Sequence, residues 1–297
     1  MSDSSSQTNN KPLTAGDWLR DATRLLAASG VQTARLDCLV LLSDALGHDR
    51  SHILAHLDQP LQDHTICDLN DAIQRRSSHT PLAYIRGKAE FYGRTFAITP
   101  DVLVPRPETE SIIELLLTHC SPQAARRAKH LTVVDIGTGS GILAITAALS
   151  LPHATVYATD IDAVCLDVAA RNAQNLGATV QFEHGNLLEP LKPVVTAAKH
   201  AVLLCNLPYV PTDYPVNRAA RQEPKLALFA GQDGLDAFRE LFGQISTLAD
   251  APLVIISESL PNQHAPLACL ARQHGYILAA REGLAQLFIR RYASLPG

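Results

Sequence analysis

A glycine-rich turn follows an apolar run near the middle of the chain, in the residues VVDIGTGSG that end at Gly141. Alternating glycines allow a tight turn and a close approach of the backbone to a ligand, and a helix that begins there presents free N–H groups. Asp160 stands 19 residues after Gly141, at the end of the next apolar run, where a carboxylate can accept both hydroxyl groups of a ribose. The spacing predicts a nucleoside site made by Gly137, Thr138, Gly139, Ser140, Gly141 and Asp160.

Two classes of nucleoside ligand compete for this turn. A dinucleotide site prefers the spacing G-x-G-x-x-G, whereas this chain has G-x-G-x-G with the acidic Asp135 just before it. That acid would repel a pyrophosphate but attract the cationic sulfonium of S-adenosylmethionine, which the sequence therefore favours over a nicotinamide cofactor. Asn186 follows the next strand-like run, and we expect its carboxamide to accept from the adenine amino group, with Leu187 beside it at the cofactor.

The residues Asn206-Leu207-Pro208-Tyr209 come directly after the apolar run Ala201–Cys205. A planar amide or amino nitrogen could donate its two hydrogens to the side-chain oxygen of Asn206 and to the carbonyl of Leu207 or Pro208, while Tyr209 stacks on the planar group. The nitrogen would then be aimed at a methyl sulfonium, so that catalysis consists of positioning and polarisation. We predict Asn206, Pro208 and Tyr209 as catalytic residues, with Leu207 also binding substrate and Asn206 also bordering the cofactor.

Both motifs need a scaffold that brings strand ends together, and the hydrophobic pattern predicts one. After Pro107, short apolar runs alternate with helical patterns, which is typical of a parallel α/β sheet whose ligands bind at the carboxyl ends of its strands. The predicted strands are Leu131–Ile136, Ala154–Thr159, Thr179–Phe182, Ala201–Cys205 and Leu253–Ser257, with Tyr276–Ala280 and Gln286–Arg291 as a closing antiparallel pair. The predicted helices between them are Gly141–Leu151, Ala163–Leu176 and Leu235–Leu248.

The rest of the chain divides by composition. Residues 1–12 are mostly polar and are expected to form a disordered tail. Residues 13–80 show only helical spacing, which predicts a helical bundle. Residues 81–107 are rich in β-branched and aromatic residues broken by glycines, which predicts a linker of one or two β-hairpins. Residues 108–297 then form the α/β domain.

Composition argues against several kinds of protein. With 25 Lys and Arg against 29 Asp and Glu, the formal charge of −4 disfavours a protein that coats DNA or RNA. The longest apolar runs fall short of the ~20 residues of a membrane helix, and the N-terminus lacks the pattern of a signal peptide. Six cysteines without a C-x-x-C pair favour neither disulfides nor zinc, and His48, His52 and His56 lack a carboxylate or thiol to complete a metal site. We expect a cytoplasmic, monomeric protein that binds no metal, no membrane and no DNA directly.

In combination, these motifs resemble the protein-(glutamine-N5) methyltransferases of the HemK/PrmC type, which modify peptide chain release factors. The resemblance covers nearly all of residues 14–292, including the runs Val102–Glu110 and Glu223–Leu235. It implies a class I S-adenosylmethionine-dependent methyltransferase, with a Rossmann-like seven-stranded sheet and an N-terminal helical bundle that recognises the substrate. The implied reaction methylates the side-chain amide nitrogen of the glutamine in the Gly-Gly-Gln loop of a release factor. We expect Arg106, in extended backbone between two prolines, to contact that substrate.

The chain departs from the family pattern at three places. Leu207 stands where the family more often has a first proline, which leaves the predicted acceptors in place. Leu260 stands where the family has a glycine between Glu258 and Gln263, and the run Asp-x-x-Gly-x-x-Arg is missing around Arg281–Leu284. We interpret the last two changes as lying away from the methyl-transfer motifs, with a possible effect on partner recognition.

The residues leave three other functions to be weighed. Glutamine methylation of a ribosomal protein ranks second, because that sister family carries Pro-Arg-Ser-Pro where this chain has Pro105-Arg106-Pro107-Glu108. Methylation of adenine or cytosine amino groups in DNA uses similar Asn-Pro-Tyr chemistry, but the net charge and the lack of a basic target-recognition domain argue against it. A catalytically silent binding adaptor is disfavoured by the intact Asn206 and glycine turn.

Overall fold

The structure of the protein is a computed structural model that describes residues 12–119 and 131–291. The chain divides into two compact units, Met1–Arg86 and Gly87–Gly297. The predicted disordered tail lies outside the described residues, apart from Pro12.

The first unit is a set of short helices around one buried apolar core, as the helical spacing predicts. Thr14 and Asp49 begin two of the helices, because their side-chain oxygens accept from the backbone N–H groups of Asp17 and His52. Gly47 ends another helix in the left-handed conformation. The helices described in this unit are Ala15–Ala28 (α1), Ala34–Leu46 (α2), Arg50–Ala55 (α3), Asp63–Ser77 (α4) and Leu82–Arg86 (α5).

A single β-hairpin begins the second unit. Lys88–Phe91 (β1) pairs antiparallel with Arg94–Ala97 (β2). The two residues between the strands, Tyr92 and Gly93, both have positive φ, at 48° and 70°. This is the left-handed turn geometry that suits the twist of a two-residue hairpin.

The hairpin is shorter than the predicted linker of residues 81–107. Pro81 begins a helical turn, in which its carbonyl oxygen accepts from the N–H groups of Tyr84 and Ile85, because proline is well suited to a first helical position. Tyr84 and Ile85 therefore lie in a helix rather than in a strand, despite their β-like side chains. Past the hairpin, the run Val102–Arg106 forms no strand.

The second unit is built on a mixed sheet of seven strands among the residues described. The strands are Leu131–Ile136 (β3), Thr155–Asp160 (β4), Gln181–His184 (β5), His200–Cys205 (β6), Val254–Glu258 (β7), Tyr276–Glu282 (β8) and Ala285–Arg290 (β9). Their order is β5-β4-β3-β6-β7-β9-β8. The first five pair in parallel, and β9 runs antiparallel to both β7 and β8. The predicted α/β sheet with a closing antiparallel pair is confirmed, with strand ends displaced by one or two residues.

The helices of this unit connect and cover the strands. The central strands β3 and β6 are almost wholly buried, which explains why they appear in the sequence as continuous apolar runs. Among the described residues, none of the helices combines the length and apolarity that a membrane crossing requires. The helices are Glu110–His119 (α6), Ile142–Ser150 (α7), Ala163–Leu176 (α8), Lys192–Ala197 (α9), Lys225–Leu228 (α10), Asp236–Ile245 (α11) and His264–Gln273 (α12).

Candidate active site

A cavity of about 530 Å³ lies at the carboxyl edge of the parallel strands, a size typical of small-molecule sites. The turn after β3, the end of β4 and the segments after β5 and β6 all contribute to its wall. The predicted residues that line it are Gly137, Gly139, Asp160, Asn186, Leu187, Asn206, Leu207 and Pro208. The structure thus brings the two sequence motifs together around one space.

The glycine turn has the backbone that its sequence predicts. Gly137, Gly139 and Gly141 have φ values of 70°, 55° and 83°, which side chains other than glycine rarely adopt. Gly141 serves packing in addition, since a Cβ there would lie 2.8 Å from Ile145 Cδ1 and 3.1 Å from the Cβ of Ala169. Gly137 and Gly139 therefore line the cavity, whereas Gly141 allows α7 and α8 to approach each other.

Asp160 is held by backbone donors. Its Oδ2 accepts from the Gly139 N–H at 2.8 Å, and its Oδ1 accepts from the Asp162 N–H at 3.0 Å. Burial raises the pKa of Asp160, and the two backbone hydrogen bonds partly offset that rise. Each oxygen of a carboxylate can accept a second hydrogen bond, so this group retains the capacity to accept two ribose hydroxyls.

Asp135 has a structural role in the glycine turn. Its carboxylate accepts from the Thr138 hydroxyl at 2.6 Å and the Ala144 N–H at 3.1 Å, and burial raises its pKa to about 7. It lines a second cavity, of about 40 Å³, together with Ser140 and Arg106. The buried carboxyl group of Asp135 thus fixes the glycine turn, and its attraction to a sulfonium stays a prediction.

Asn186 and Leu187 follow β5 and line the large cavity. Asn186 Nδ2 donates to Glu240, which leaves the carboxamide oxygen available as an acceptor. Leu187 has a φ of 50°, which is unusual for leucine, and its carbonyl oxygen accepts from the Thr159 hydroxyl at 2.8 Å. Backbone strain of this kind is concentrated at functional sites.

Asn206 and Tyr209 are held by side chains from distant parts of the chain. Asn206 Nδ2 donates to Thr109 Oγ1 at 3.1 Å, and the Tyr209 hydroxyl donates to Glu258 Oε1 at 2.7 Å. Thr109 and Glu258 are fully buried, and burial raises the pKa of both Glu258 and Tyr209. Tyr209 packs against the apolar core and is not among the residues that line the large cavity, so its stacking on a substrate stays a prediction.

The backbone of Tyr209 is fixed by Gln263. The Gln263 Nε2 donates to the carbonyl oxygens of Tyr209 and Asp233, both at 2.7 Å. Gly234 lies against the same group, since a Cβ there would come within 2.1 Å of the Tyr209 oxygen. The change at Leu260 therefore does not lie away from the methyl-transfer motifs as interpreted, because Glu258 and Gln263 on either side of it both contact Tyr209.

Arg106 is paired with an acidic residue of the chain itself. Its Nη2 lies 2.5 Å from Glu223 Oε1, and Glu223 Oε2 accepts from the Val104 N–H at 3.1 Å. Glu223 is buried, while 35% of the Arg106 side chain is exposed. The pair fixes the segment that leads to Pro107, and the predicted contact of Arg106 with substrate stays a prediction.

The sequence predicts no role in the site for Ile161, and none beyond the family pattern for Thr109, Glu258 and Gln263. Ile161 directly follows Asp160, lines the cavity and is 51% exposed. An apolar residue directly after the strand-end carboxylate is the sequence feature that could have indicated its place in the site. Thr109, Glu258 and Gln263 support the motif from far along the chain, and no local spacing reveals such partners.

Groups of three His, Cys, Asp or Glu side chains suited to a metal ion do not occur within residues 12–119 and 131–291. His48, His52 and His56 form a stack instead, with ring centroids 4.1 and 4.2 Å apart.

The order of the strands and the cavity at their carboxyl edge define a class I S-adenosylmethionine-dependent methyltransferase fold. Among solved structures, the hMettl16 catalytic domain in complex with the MAT2A 3′UTR hairpin 1 is similar, with a TM-score of 0.51 and 13% identity over 78% of this chain and 82% of that chain. The same domain with hairpin 6 gives a TM-score of 0.50 at 15% identity, over 78% and 83% of the two chains. At these identities the likeness concerns the fold alone.

Sequence comparison is more specific. Residues 17–87 match the family model of the PrmC N-terminal domain, and residues 113–208 match that of the ribosomal protein L11 methyltransferase (PrmA). The chain is 41% identical over 233 residues to a release factor glutamine methyltransferase of Moorella thermoacetica, covering 77% of this chain and 79% of the relative. The relative so named in Deinococcus radiodurans is 32% identical over 273 residues, or 90% and 94% of the two chains. The chain belongs to the release factor glutamine methyltransferase family, which confirms the resemblance seen in its motifs.

Proposed function

We propose that the protein transfers a methyl group from S-adenosylmethionine to the side-chain amide nitrogen of the glutamine in the Gly-Gly-Gln loop of peptide chain release factors. The observation that carries this proposal is the hydrogen bonding of the Asn206 side-chain amide. Its Nδ2 is occupied by Thr109, so its oxygen is left to accept from an amide at the cavity that Asp160 and the glycine turn also line. The names of the relatives supply the substrate.

The residues of the cavity fit S-adenosylmethionine. Asp160 offers two carboxylate oxygens for a ribose, Ile161 and Leu187 offer apolar surface for a base, and Asn186 offers an acceptor for an amino group. The volume of about 530 Å³ is sufficient for a nucleoside with a side chain. When bound there, the cofactor supplies a methyl group on a positively charged sulfur.

The residues after β6 bind and orient the amide. Asn206 Oδ1 and the carbonyl oxygen of Leu207 or Pro208 accept the two hydrogens of the glutamine nitrogen, which holds that nitrogen in place and increases its electron density. Because the acceptors are fixed before the substrate arrives, they act by preorganisation. Glutamate has no hydrogens to offer these acceptors, so the same contacts select glutamine.

The test is transfer of labelled methyl groups to a purified release factor, followed by mass spectrometry of the modified peptide. We expect a single methyl group on the glutamine of the Gly-Gly-Gln loop and none on a release factor with alanine at that position. Ribosomal protein L11 is the comparison substrate, because residues 113–208 match a methyltransferase model of that name. Preferential labelling of that protein, or of DNA, would contradict the proposal.

We further propose that the helical unit recognises the release factor, since residues 17–87 match the PrmC N-terminal domain. A chain that begins at Gly87 should keep cofactor affinity and lose most methylation of the release factor. Full activity of that chain would assign recognition to the second unit instead.

Release factors act in the cytoplasm, and we place this reaction there, performed by a monomer without direct contact to DNA or a membrane. Size-exclusion chromatography of the purified protein and fractionation of cells check these points.

A further inference from the structure

Asn172 is a buried residue of α8 whose side-chain amide joins three parts of the second unit. Only 1% of its surface is exposed. Its Oδ1 accepts from the Ala97 N–H at 2.7 Å, and its Nδ2 donates to the carbonyl oxygens of Ala97 and Ser140 at 3.0 and 2.9 Å. Both hydrogens of the amide are therefore in use, and one side chain connects the hairpin, α8 and the glycine turn.

The contact with Ala97 holds the hairpin at its outer edge. The Ile98 N–H donates to the Gly87 carbonyl oxygen at 3.0 Å, and in an antiparallel pair such bonds alternate from one residue to the next. The two backbone groups of Ala97, the last residue of β2, therefore point away from β1. Asn172 binds both of them, as the peptide group of a third strand would do.

The contact with the glycine turn depends on close packing between two helices. Ser140 is buried and directly precedes Gly141, where a Cβ would lie 3.1 Å from the Cβ of Ala169. Ala169 lies about one helical turn before Asn172, on the same face of α8. The close approach that Gly141 allows therefore also brings the Ser140 carbonyl oxygen within reach of the Asn172 amide.

The chain directly after β2 forms part of the wall of the large cavity. Within residues 98–103, which we call the cavity segment, Asp101 and Leu103 line that space. Cys165 lies two helical turns before Asn172 on the same face of α8, and its thiol donates to the Asp101 carbonyl oxygen at 3.4 Å. The helix therefore holds the cavity segment at two places, directly before its first residue and near its middle.

We infer that Asn172 is a positioning residue for the cofactor site, which sets the distance between the cavity segment and the glycine turn. Asn172 is not among the residues that line the large cavity, so it acts through the backbone that it holds. The inference rests on the proposed function for the identity of the ligand, S-adenosylmethionine. The position of the cavity segment is a property of the protein alone.

Two variants at this position and one control separate the hydrogen bonds from packing. Asn172→Ala removes all three bonds. Asn172→Asp keeps the shape and an acceptor for the Ala97 N–H, but a carboxylate has no hydrogen for the two carbonyl oxygens. The control is Val168→Ala, because Val168 is also buried on α8 and its truncation removes apolar packing only.

Ala97→Pro tests the same contact from the hairpin and leaves Asn172 in place. The side chain of Ala97 is exposed, so the proline ring can lie in solvent while the N–H that Asn172 accepts is lost. The control is Thr95→Pro, because Thr95 is exposed in the same strand, two residues earlier. Its backbone groups also point away from β1 by the same alternation, and Asn172 does not bind them.

We expect Asn172→Ala and Asn172→Asp to raise the Kd of S-adenosylmethionine, measured by calorimetry, by about tenfold or more. Ala97→Pro should raise it by a smaller factor, and Val168→Ala and Thr95→Pro should keep the wild-type Kd. In all five variants, kcat at saturating cofactor and the KM of the release factor should stay near the wild-type values. A role in stability alone would lower the melting temperature and leave the Kd of the folded protein unchanged.

Hydrogen exchange without any ligand measures the position of the cavity segment directly. Its backbone amides should exchange faster in Asn172→Asp and Ala97→Pro than in the wild type, relative to those of β3 and β6, and should be unchanged in Val168→Ala. Unchanged exchange in the first two variants, or a Kd raised as much in Val168→Ala as in Asn172→Ala, would overturn the positioning role. A wild-type protein that binds S-adenosylmethionine but methylates no release factor would overturn the proposed function and leave the role of Asn172 established.

Discussion

The two sides of the cavity are assembled in different ways. On the side of the glycine turn, Asp160 is held by backbone N–H groups that lie 21 and 2 residues away in sequence. On the side of Asn206, the supports are side chains that lie 97, 49 and 54 residues from the groups they hold. The first side is a local strand-turn-helix structure, whereas the second exists only when much of the second unit has folded.

This difference should separate two kinds of defect. Changes near Asp160 should weaken cofactor binding and leave the substrate amide correctly placed. Changes near Asn206 should reduce turnover and leave cofactor binding intact. A variant near Asp160 that lowers turnover, or one near Asn206 that weakens cofactor binding, would show that the two sides are energetically coupled.

The largest effect is expected for Asn206→Ala. The variant removes a preorganised acceptor for the substrate nitrogen, so turnover should fall by roughly a hundredfold or more. Cofactor affinity, measured by calorimetry, should change little. If the variant methylates a release factor at the wild-type rate, the motif is only a structural turn and the active site has been misassigned.

Asn206→Asp tests the effect of a negative charge at the same position. The variant keeps an acceptor oxygen but adds a negative charge near the position expected for the sulfonium. That charge stabilises the cationic ground state, whose charge is lost during transfer, so turnover should fall while cofactor binding holds or tightens. Weaker cofactor binding in Asn206→Asp would contradict this account of the charge.

On the opposite side, Asp160→Ala should weaken cofactor binding by about 1.5–3 kcal/mol for each charge-assisted hydrogen bond lost. The variant also leaves the N–H groups of Gly139 and Asp162 without their acceptor, so Asp160→Asn, which keeps the shape, should be measured beside it. Calorimetry gives the affinity, and kcat at saturating cofactor should stay closer to wild type than it does in Asn206→Ala.

The control for Asp160 is its neighbour. Asp162 begins α8, where its side chain accepts from the Val164 N–H at 2.9 Å. Asp162→Ala should therefore cost stability, about 0.5–2 kcal/mol for a lost helix cap, rather than cofactor affinity. A larger loss of affinity in Asp162→Ala than in Asp160→Ala would transfer the ribose contact to Asp162.

Gly234, on the Asn206 side of the cavity, and Gly139, in the glycine turn, test whether the Asn206 side is the more tightly packed. Gly234→Ala combines a φ of 76° with a Cβ only 2.1 Å from the Tyr209 oxygen and 2.3 Å from Gln263 Nε2. We expect it to cost about 1–3 kcal/mol of unfolding free energy and to lower turnover, since Tyr209 must move.

Gly139→Ala and Gly243→Ala are the comparisons for that variant. Gly139 has a φ of 55° but nothing within 4 Å of its Cβ position, so strain alone should act. Gly243 lies within α11 with no positive φ and the same open space, so Ala there should stabilise by about 0.5–1 kcal/mol. Denaturant unfolding of the three variants gives their order, and a Gly234→Ala protein as stable as Gly139→Ala would mean that Gln263 does not hold Tyr209 tightly.

The same difference explains what the sequence could and could not predict. The strands, the glycine turn and Asp160 follow from short-range patterns, because apolar runs, turn glycines and a carboxylate at a strand end are all local. The partners of Asn206 and Tyr209 could not be predicted in this way, since no pattern of period 2 or 3.6 relates Thr109 to Asn206 or Glu258 to Tyr209. Asp135 shows a second limit of the sequence: its position indicated a charge but not the burial of that charge, which raises its pKa to about 7.

The smallest effect is expected at Asn186, on the cofactor side of the cavity. Its amide is one neutral hydrogen-bonding group at a partly exposed position, so Asn186→Ala should weaken cofactor binding by about 0.5–1.5 kcal/mol. Glu240 accepts from Asn186 Nδ2, which keeps the amide oxygen free for an adenine amino group. Glu240→Ala should therefore lose part of the same binding free energy. The double variant should lose no more than Asn186→Ala alone. Additive losses in calorimetry would mean that Glu240 contacts the ligand directly and that Asn186 is not oriented by it. Equal kcat in all three proteins at saturating cofactor would place their effect on the cofactor side alone, as the separate construction of the two sides requires.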